Sequence, residues 1–217
     1  MVNKICFIQI PRTASTTLGR YFTKHNQHNI TIVGHLDIDH NKTPKIYNLN
    51  LDEYFVVAFV RNPWDFWVSN FFIHQQGQHL PHNTTQYNNT NSFFEFIQTV
   101  YDRIFTTHQK ETFSLSGYFN RLCYFRDTYI DDPDITINPE GQFIVDFIGR
   151  FETLYEDLEK IQFLTNIRMP KQNELPIIGK TNRKHYSHYY NDTTIEMVKK
   201  IEWPIIKMFN YDFQKED

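Results

Sequence analysis

The sequence predicts an α/β protein: a central, mostly parallel sheet flanked by helices. Three observations predict it. Ile5 to Ile10 is a short, β-branched apolar run bounded by Pro11, then come a polar turn and Leu18, Tyr21 and Phe22 at helical spacing. Tyr54 to Val60 is a continuous apolar run of the kind a parallel sheet buries on both faces, and it leads into a Pro-started helix. Ser92 to Phe105, Leu154 to Leu164 and Asp192 to Phe209 then carry amphipathic helical patterns. At 217 residues the chain suits one domain over its whole length, large enough for a sizeable core.

Composition narrows the class. With 20 Phe and 13 Tyr, the chain can bury a large apolar area with few aliphatics. A net charge of −3 argues against a general nucleic-acid binder, which is usually basic. Two cysteines make no disulfide framework, and Cys6, inside the first strand, reads as a buried free thiol. No run reaches the length of a transmembrane helix and the N-terminus enters a core strand directly, so a soluble or cytoplasmic protein is expected.

The first strand and the turn after it are the first candidate site. Thr13, Ser15, Thr16 and Thr17 place small hydroxyls where a helix begins, and Arg12 adds a full charge. The opening N–H groups of a helix have no intrahelical partner and carry the positive end of its dipole, so strand, polar turn and helix start make an anion site. The stretch lacks the GxxxxGK[ST] pattern of nucleotide triphosphatases. Ile30 to Val33 is the next short β run, and Gly34-His35 ends it where open α/β sheets border their ligand crevice. Residues 41–53 read as a surface connection.

After the run ending at Val60 comes Arg61-Asn62-Pro63, with Asn62 as a helix cap and Pro63 in the first turn. Ser69 lies eight residues beyond Arg61, so its hydroxyl is expected to face the same crevice as the guanidinium. Residues 73–91 hold His74, His79 and His82 without a Cys or acidic partner at zinc-like spacing, so a solvated loop is expected there rather than a metal site. Ser92 and Glu95 form a capping box for the helix to Phe105. Phe143 to Ile148 is a strand candidate, and the helix from Leu154 is expected to bury Leu154, Leu158, Ile161 and either Phe163 or Leu164. Lys180, Arg183 and Lys184 form a basic cluster, and a single helix is expected over Asp192 to Phe209.

These motifs, in this order, resemble those of the sulfotransferases. Ile10-Pro-Arg-Thr-Ala-Ser-Thr-Thr17 is similar to that family's 5′-phosphosulfate loop, I-P-K-T-(A/G)-G-T-(S/T). Phe59-Val-Arg-Asn-Pro-Trp-Asp-Phe-Trp-Val-Ser-Asn-Phe-Phe72 resembles its 3′-phosphate motif, and Asp146 to Leu158 resembles a third, mainly architectural stretch. The resemblance runs from about residue 5 to 213 and implies a three-layer fold of the P-loop type. It implies a donor, 3′-phosphoadenosine 5′-phosphosulfate (PAPS), with PAP as product, no metal, and a glycan hydroxyl as acceptor, as in the Golgi carbohydrate group. Arg12, Thr13, Ala14, Ser15, Thr16 and Thr17 would hold the 5′-phosphosulfate, Arg61 and Ser69 the 3′-phosphate, and Arg183 and Lys184 would close over the donor phosphates. His35 would be the general base and Arg12 the group that stabilises the leaving phosphate.

Three positions depart from the family pattern: Arg12 stands for Lys, Ser15 for Gly and Phe66 for a second Arg. If the loop glycine is needed for positive φ, Ser15 is expected to cost stability or affinity. Two alternatives stand beside the enzyme: a catalytically impaired nucleotide- or glycan-binding protein on the same fold, and, more weakly, a nucleotide kinase.

Overall fold

The computed structural model of the chain describes residues 3–25, 27–34, 49–75, 90–106, 116, 145–175 and 181–216. In chain order the elements are β1 (Ile5–Ile8), α1 (Ser15–Lys24), β2 (Ile30–Val33), a 3-10 turn (Leu51–Glu53), β3 (Phe55–Val60), α2 (Pro63–Gln75), α3 (Phe93–Phe105), β4 (Phe147–Arg150), α4 (Leu154–Thr165), two further 3-10 turns (Gln172–Glu174, Tyr186–Tyr189), α5 (Asp192–Ile201) and α6 (Trp203–Phe209). They fall into two compact units, residues 1–61 with 119–179, and residues 62–118 with 180–217.

The first unit holds the sheet, whose four strands are all parallel in the order β2-β1-β3-β4. Ile5 lies opposite both Ile30 and Phe55. From β1 the chain goes to one side for β2 and to the other for β3. The strand order therefore reverses at β1, and ligand crevices in open parallel sheets form outside the carboxyl ends of the strands at such a point. On one face Ile5, Phe7, Val57 and Phe59 pack with Leu18, Tyr21 and Phe22 of α1 and Leu154, Leu158 and Ile161 of α4. Phe7 meets Phe22 and Phe59 edge-on, at 5.6 and 6.2 Å between ring centroids. Each such fully buried side chain contributes about 1.5–3 kcal/mol. The alternate residues Cys6, Ile8, Val56, Ala58 and Val60 are buried too, which is why these strands read as continuous apolar runs.

β4 begins later than the run Phe143 to Ile148 suggests; residues 143 and 144 lie outside the described residues, and Val145 and Asp146 precede the strand. The reason is Asp146. Its carboxylate accepts from Val56 N–H at 2.7 Å while its own N–H donates to the Val56 carbonyl at 2.9 Å, so the ladder proper starts one residue on. Further along β4, Gly149 faces Phe59, and a Cβ there would lie 2.3 Å from the ring. In α4, Leu154, Leu158 and Ile161 are buried as expected, but Phe163 and Leu164 are exposed. The inward position one turn past Ile161 is Thr165, whose hydroxyl donates to the Ile161 carbonyl at 2.7 Å.

The second unit is helical. Asn62 caps α2, its Oδ1 accepting from the N–H groups of Trp64 and Asp65 at 3.0 and 3.3 Å, with Pro63 as the first helical residue. α2 is buried on all sides, as a helix apolar all round must be. It extends through Gln75, so His74 is helical and its ring lies 5.7 Å from that of Phe96, rather than in a loop; His79 and His82 lie outside the described residues. Ser92 caps α3 by accepting from Glu95 N–H at 3.2 Å, while Glu95 reaches back to Asn91 N–H at 2.8 Å.

The expected single last helix is two. α5 stops at Ile201 and α6 starts at Trp203, because Pro204 has no N–H to continue the ladder and its ring would clash with the preceding turn. Glu202, at the break, is wholly buried and accepts from Trp67 Nε1 (3.0 Å), Ser116 N (2.7 Å) and Ser116 Oγ (2.6 Å). Among the described residues no helix is long and apolar enough to cross a membrane.

Candidate functional site

The loop between β1 and α1 lies at the carboxyl end of β1, beside the reversal of strand order. Its backbone is strained at two places: Arg12 has φ 63° and Ala14 φ 62°, both left-handed. Non-glycine residues seldom adopt this conformation, and such strain, about 1–3 kcal/mol each, collects at ligand-binding sites. Thr13 sits between them, buried, its hydroxyl donating to the Ile10 carbonyl at 2.8 Å. That hydroxyl braces the turn instead of adding a donor for an anion. Ala14 then passes into Ser15, the first residue of α1, and left-handed followed by helical backbone makes a concave cradle of N–H groups. Ala14 offers α1 no side-chain cap and the first turn of α1 holds no acidic residue, so these residues themselves leave the positive end of the helix open.

Ser15 does not carry positive φ; it is helical and buried. The conformational cost expected of Ser in place of Gly falls on Ala14 and Arg12 instead. Thr17 is buried and Thr16 exposed.

Arg61, immediately after β3, is brought to this loop. It is only 7% exposed, and its Nη1 donates to the Arg12 carbonyl at 2.8 Å. The guanidinium carbon lies 4.1 Å from the centre of the Phe151 ring, a cation–π contact. Phe151 follows β4 and is held by its own N–H donating to the Val60 carbonyl at 2.7 Å. The two residues singled out in separate motifs, Arg12 and Arg61, thus form one cluster, and the third motif supplies its aromatic support. Sequence reasoning treated that motif as architecture. The signal that singles out Phe151 is its position directly after a strand paired with the one that ends just before Arg61.

The rest of the third motif fixes that support. Asp157 accepts from Arg150 N–H (2.8 Å), Thr153 Oγ1 (2.9 Å) and Lys160 Nζ (2.7 Å), tying the end of β4 to α4. Burial alone would raise its carboxyl, but the Arg150 N–H, the Lys160 ammonium and the Thr153 hydroxyl together hold it below its ordinary value.

In the second unit Ser69 is buried within α2. Arg183 is paired with Asp65, and its Nε donates to Thr181 Oγ1 at 3.1 Å. The basic stretch is therefore anchored by a mostly buried ion pair at Arg183, while Lys184 is exposed, with its N–H donating to the Tyr189 hydroxyl at 3.1 Å. Phe66, which stands where the family pattern has a second Arg, is wholly buried against Trp67. His35, the candidate general base, lies outside the described residues. Gln9 was missed by sequence reasoning: its Nε2 donates to the Ser15 carbonyl at 2.9 Å, across the loop.

Strand, left-handed turn, helix start and arginine are thus gathered at the carboxyl end of β1, without a Walker loop. The profile of the sulfotransferase family matches residues 2–214, and the chain belongs to that family. Comparison with curated proteins and with solved structures returned no match. Membership of the family carries sulfuryl transfer as the general activity.

Proposed function

We propose that this chain transfers a sulfuryl group from PAPS to a hydroxyl of a carbohydrate acceptor, and that both units act as one domain in doing so. The observation that carries the donor assignment is the strained cradle of Arg12 and Ala14 at a helix start that Ala14 does not cap, tied through the Arg12 carbonyl to Arg61. Backbone N–H groups and a planar guanidinium suit phosphate and sulfate oxygens. The family match across both units supports the single domain. The motif wording, closest to the Golgi carbohydrate group, supports the glycan acceptor.

The donor supplies the sulfuryl group, and the acceptor oxygen displaces the phosphate in line. His35 takes the hydroxyl proton as the new S–O bond forms. Arg12 and the N–H groups of Ala14 to Thr17 stabilise charge on the departing phosphate. A leaving phosphate needs charge and hydrogen bonds and no proton, so Arg12 serves where the family has Lys. Arg61 holds the 3′-phosphate, with Ser69 assigned to it on the motif alone. Arg183 and Lys184 are proposed on the same footing as further donor contacts.

Thermal unfolding with adenosine 3′,5′-bisphosphate, set against ATP and AMP, tests the donor site. At 100 times its dissociation constant a ligand adds about 2.7 kcal/mol, a shift of several degrees in a domain of this size. The bisphosphate alone should produce the shift, and Arg61→Ala should abolish it; a larger shift with ATP would point to a kinase. A panel of glycan acceptors with radiolabelled donor then tests transfer. The second reading, a binding protein that has lost catalysis, is favoured by buried Phe66 in place of an arginine. Bisphosphate binding with no transfer to any acceptor would select it.

A further inference from the structure

We propose that Gln9 is a positioning residue for the donor loop and that Gly19 is the vacancy in α1 that admits it; the proposal rests on the donor reading above. Gln9 lies between β1 and the loop. Its backbone N–H donates to the Val33 carbonyl at 2.9 Å, which pins it to the end of β2. Its side chain turns to the helix and donates from Nε2 to the Ser15 carbonyl at 2.9 Å. The five residues between Gln9 and Ser15 include both left-handed positions, Arg12 and Ala14. A hydrogen bond that closes this short loop from below holds its N–H groups in the cradle before any ligand arrives, and such preorganisation lowers the cost of binding.

Gly19 shows that the contact is built in. A glycine inside a helix weakens it relative to alanine. Here a Cβ at position 19 would lie 2.2 Å from Gln9 Nε2 and 3.4 Å from Cδ, so any larger residue forces the amide away from the Ser15 carbonyl. Gly19 and Gln9 form one device, and neither belongs to the loop motif that the family resemblance draws attention to.

The test uses the full chain with adenosine 3′,5′-bisphosphate as probe, titrated by calorimetry, alongside amide hydrogen exchange over residues 12–17 in the unliganded protein. Gln9→Met keeps the volume above Gly19 and removes the donor. It should leave the melting temperature near that of the wild type, weaken bisphosphate binding about tenfold, the scale of one hydrogen bond, and speed exchange in the loop. Gly19→Ala should reproduce the affinity loss by displacing Gln9. In a Gln9→Ala background Gly19→Ala should cost no further affinity, because the two changes disable the same contact. A purely structural role would lower the melting temperature and leave the affinity of the folded protein unchanged. Wild-type affinity and wild-type loop exchange in Gln9→Met would overturn the proposal, as would a Gly19→Ala penalty undiminished without Gln9. If the wild-type chain binds no bisphosphate, the donor reading falls and the positioning of a donor falls with it. Loop exchange in Gln9→Met then decides whether Gln9 braces the loop at all.

Discussion

At residue 14 an alanine holds φ 62°, a conformation that costs an L-residue energy and costs glycine almost none. Ala14→Gly should therefore stabilise the protein by about 0.5–1 kcal/mol, read as a higher urea midpoint. Ser15→Gly, the change that family comparison recommends, should bring no gain, because Ser15 is already helical. A reversed order of the two variants would show that the loop adopts another backbone in solution. Phe151→Leu removes the ring beneath Arg61 but keeps most of the volume. Bisphosphate affinity should fall a few-fold, the scale of an exposed to partly buried cation–π contact of about 0.5–2 kcal/mol, with Arg61 still present. Unchanged affinity in Phe151→Leu would mean that the ring does not orient the guanidinium.

At the scale of elements, two carboxylates hold segments together in ways that periodicity does not announce. Asp157 joins β4 to α4, and its carboxyl titrates lower in the folded chain than in the unfolded one. It adds stability above its ordinary pKa of about 3.9, and that contribution is lost as pH falls through the lower, folded value. Asp157→Asn should therefore flatten the acid limb of melting temperature against pH while lowering the plateau at neutral pH. Equal acid sensitivity in wild type and variant would assign the limb to other groups. Glu202 fills the break between α5 and α6 and satisfies Trp67 and Ser116. Glu202→Ala leaves those buried donors without an acceptor and should cost about 2–4 kcal/mol in denaturant unfolding. A loss below about 0.5 kcal/mol would show that water replaces the carboxylate.

For the molecule as a whole, Cys6 is the internal reporter. It lies in a central strand, wholly buried, and burial pushes its thiol up to about 12. A disulfide reagent should modify it only through global unfolding, so its reaction rate should slow in step with bisphosphate-induced stabilisation. Rapid modification of Cys6 under native conditions would mean that the sheet opens locally.

The sequence by itself determined the fold class and the family, because both rest on local order. A short, β-branched apolar run such as Phe55 to Val60, bounded by turn residues, fits a strand buried on both faces, and Asn62-Pro63 and Ser92-x-x-Glu95 mark helix starts within a few residues of chain. Arg12 and Arg61 stood out in the sequence by their places after strands, and the structure brings them together. Tertiary structure decided what depends on residues distant in sequence. Arg61 meets the Arg12 carbonyl and the Phe151 ring because parallel pairing sets β1, β3 and β4 side by side, and nothing near Arg61 in the sequence encodes either partner. The same holds for Arg183 on Asp65. Phe163 and Leu164 fit the composition of a core helix yet lie outside it, because the pitch after Ile161 turns Thr165 inward. Backbone strain was also beyond the sequence: alanine and arginine carry no mark of positive φ, and only the closing of the loop between β1 and α1 imposes it.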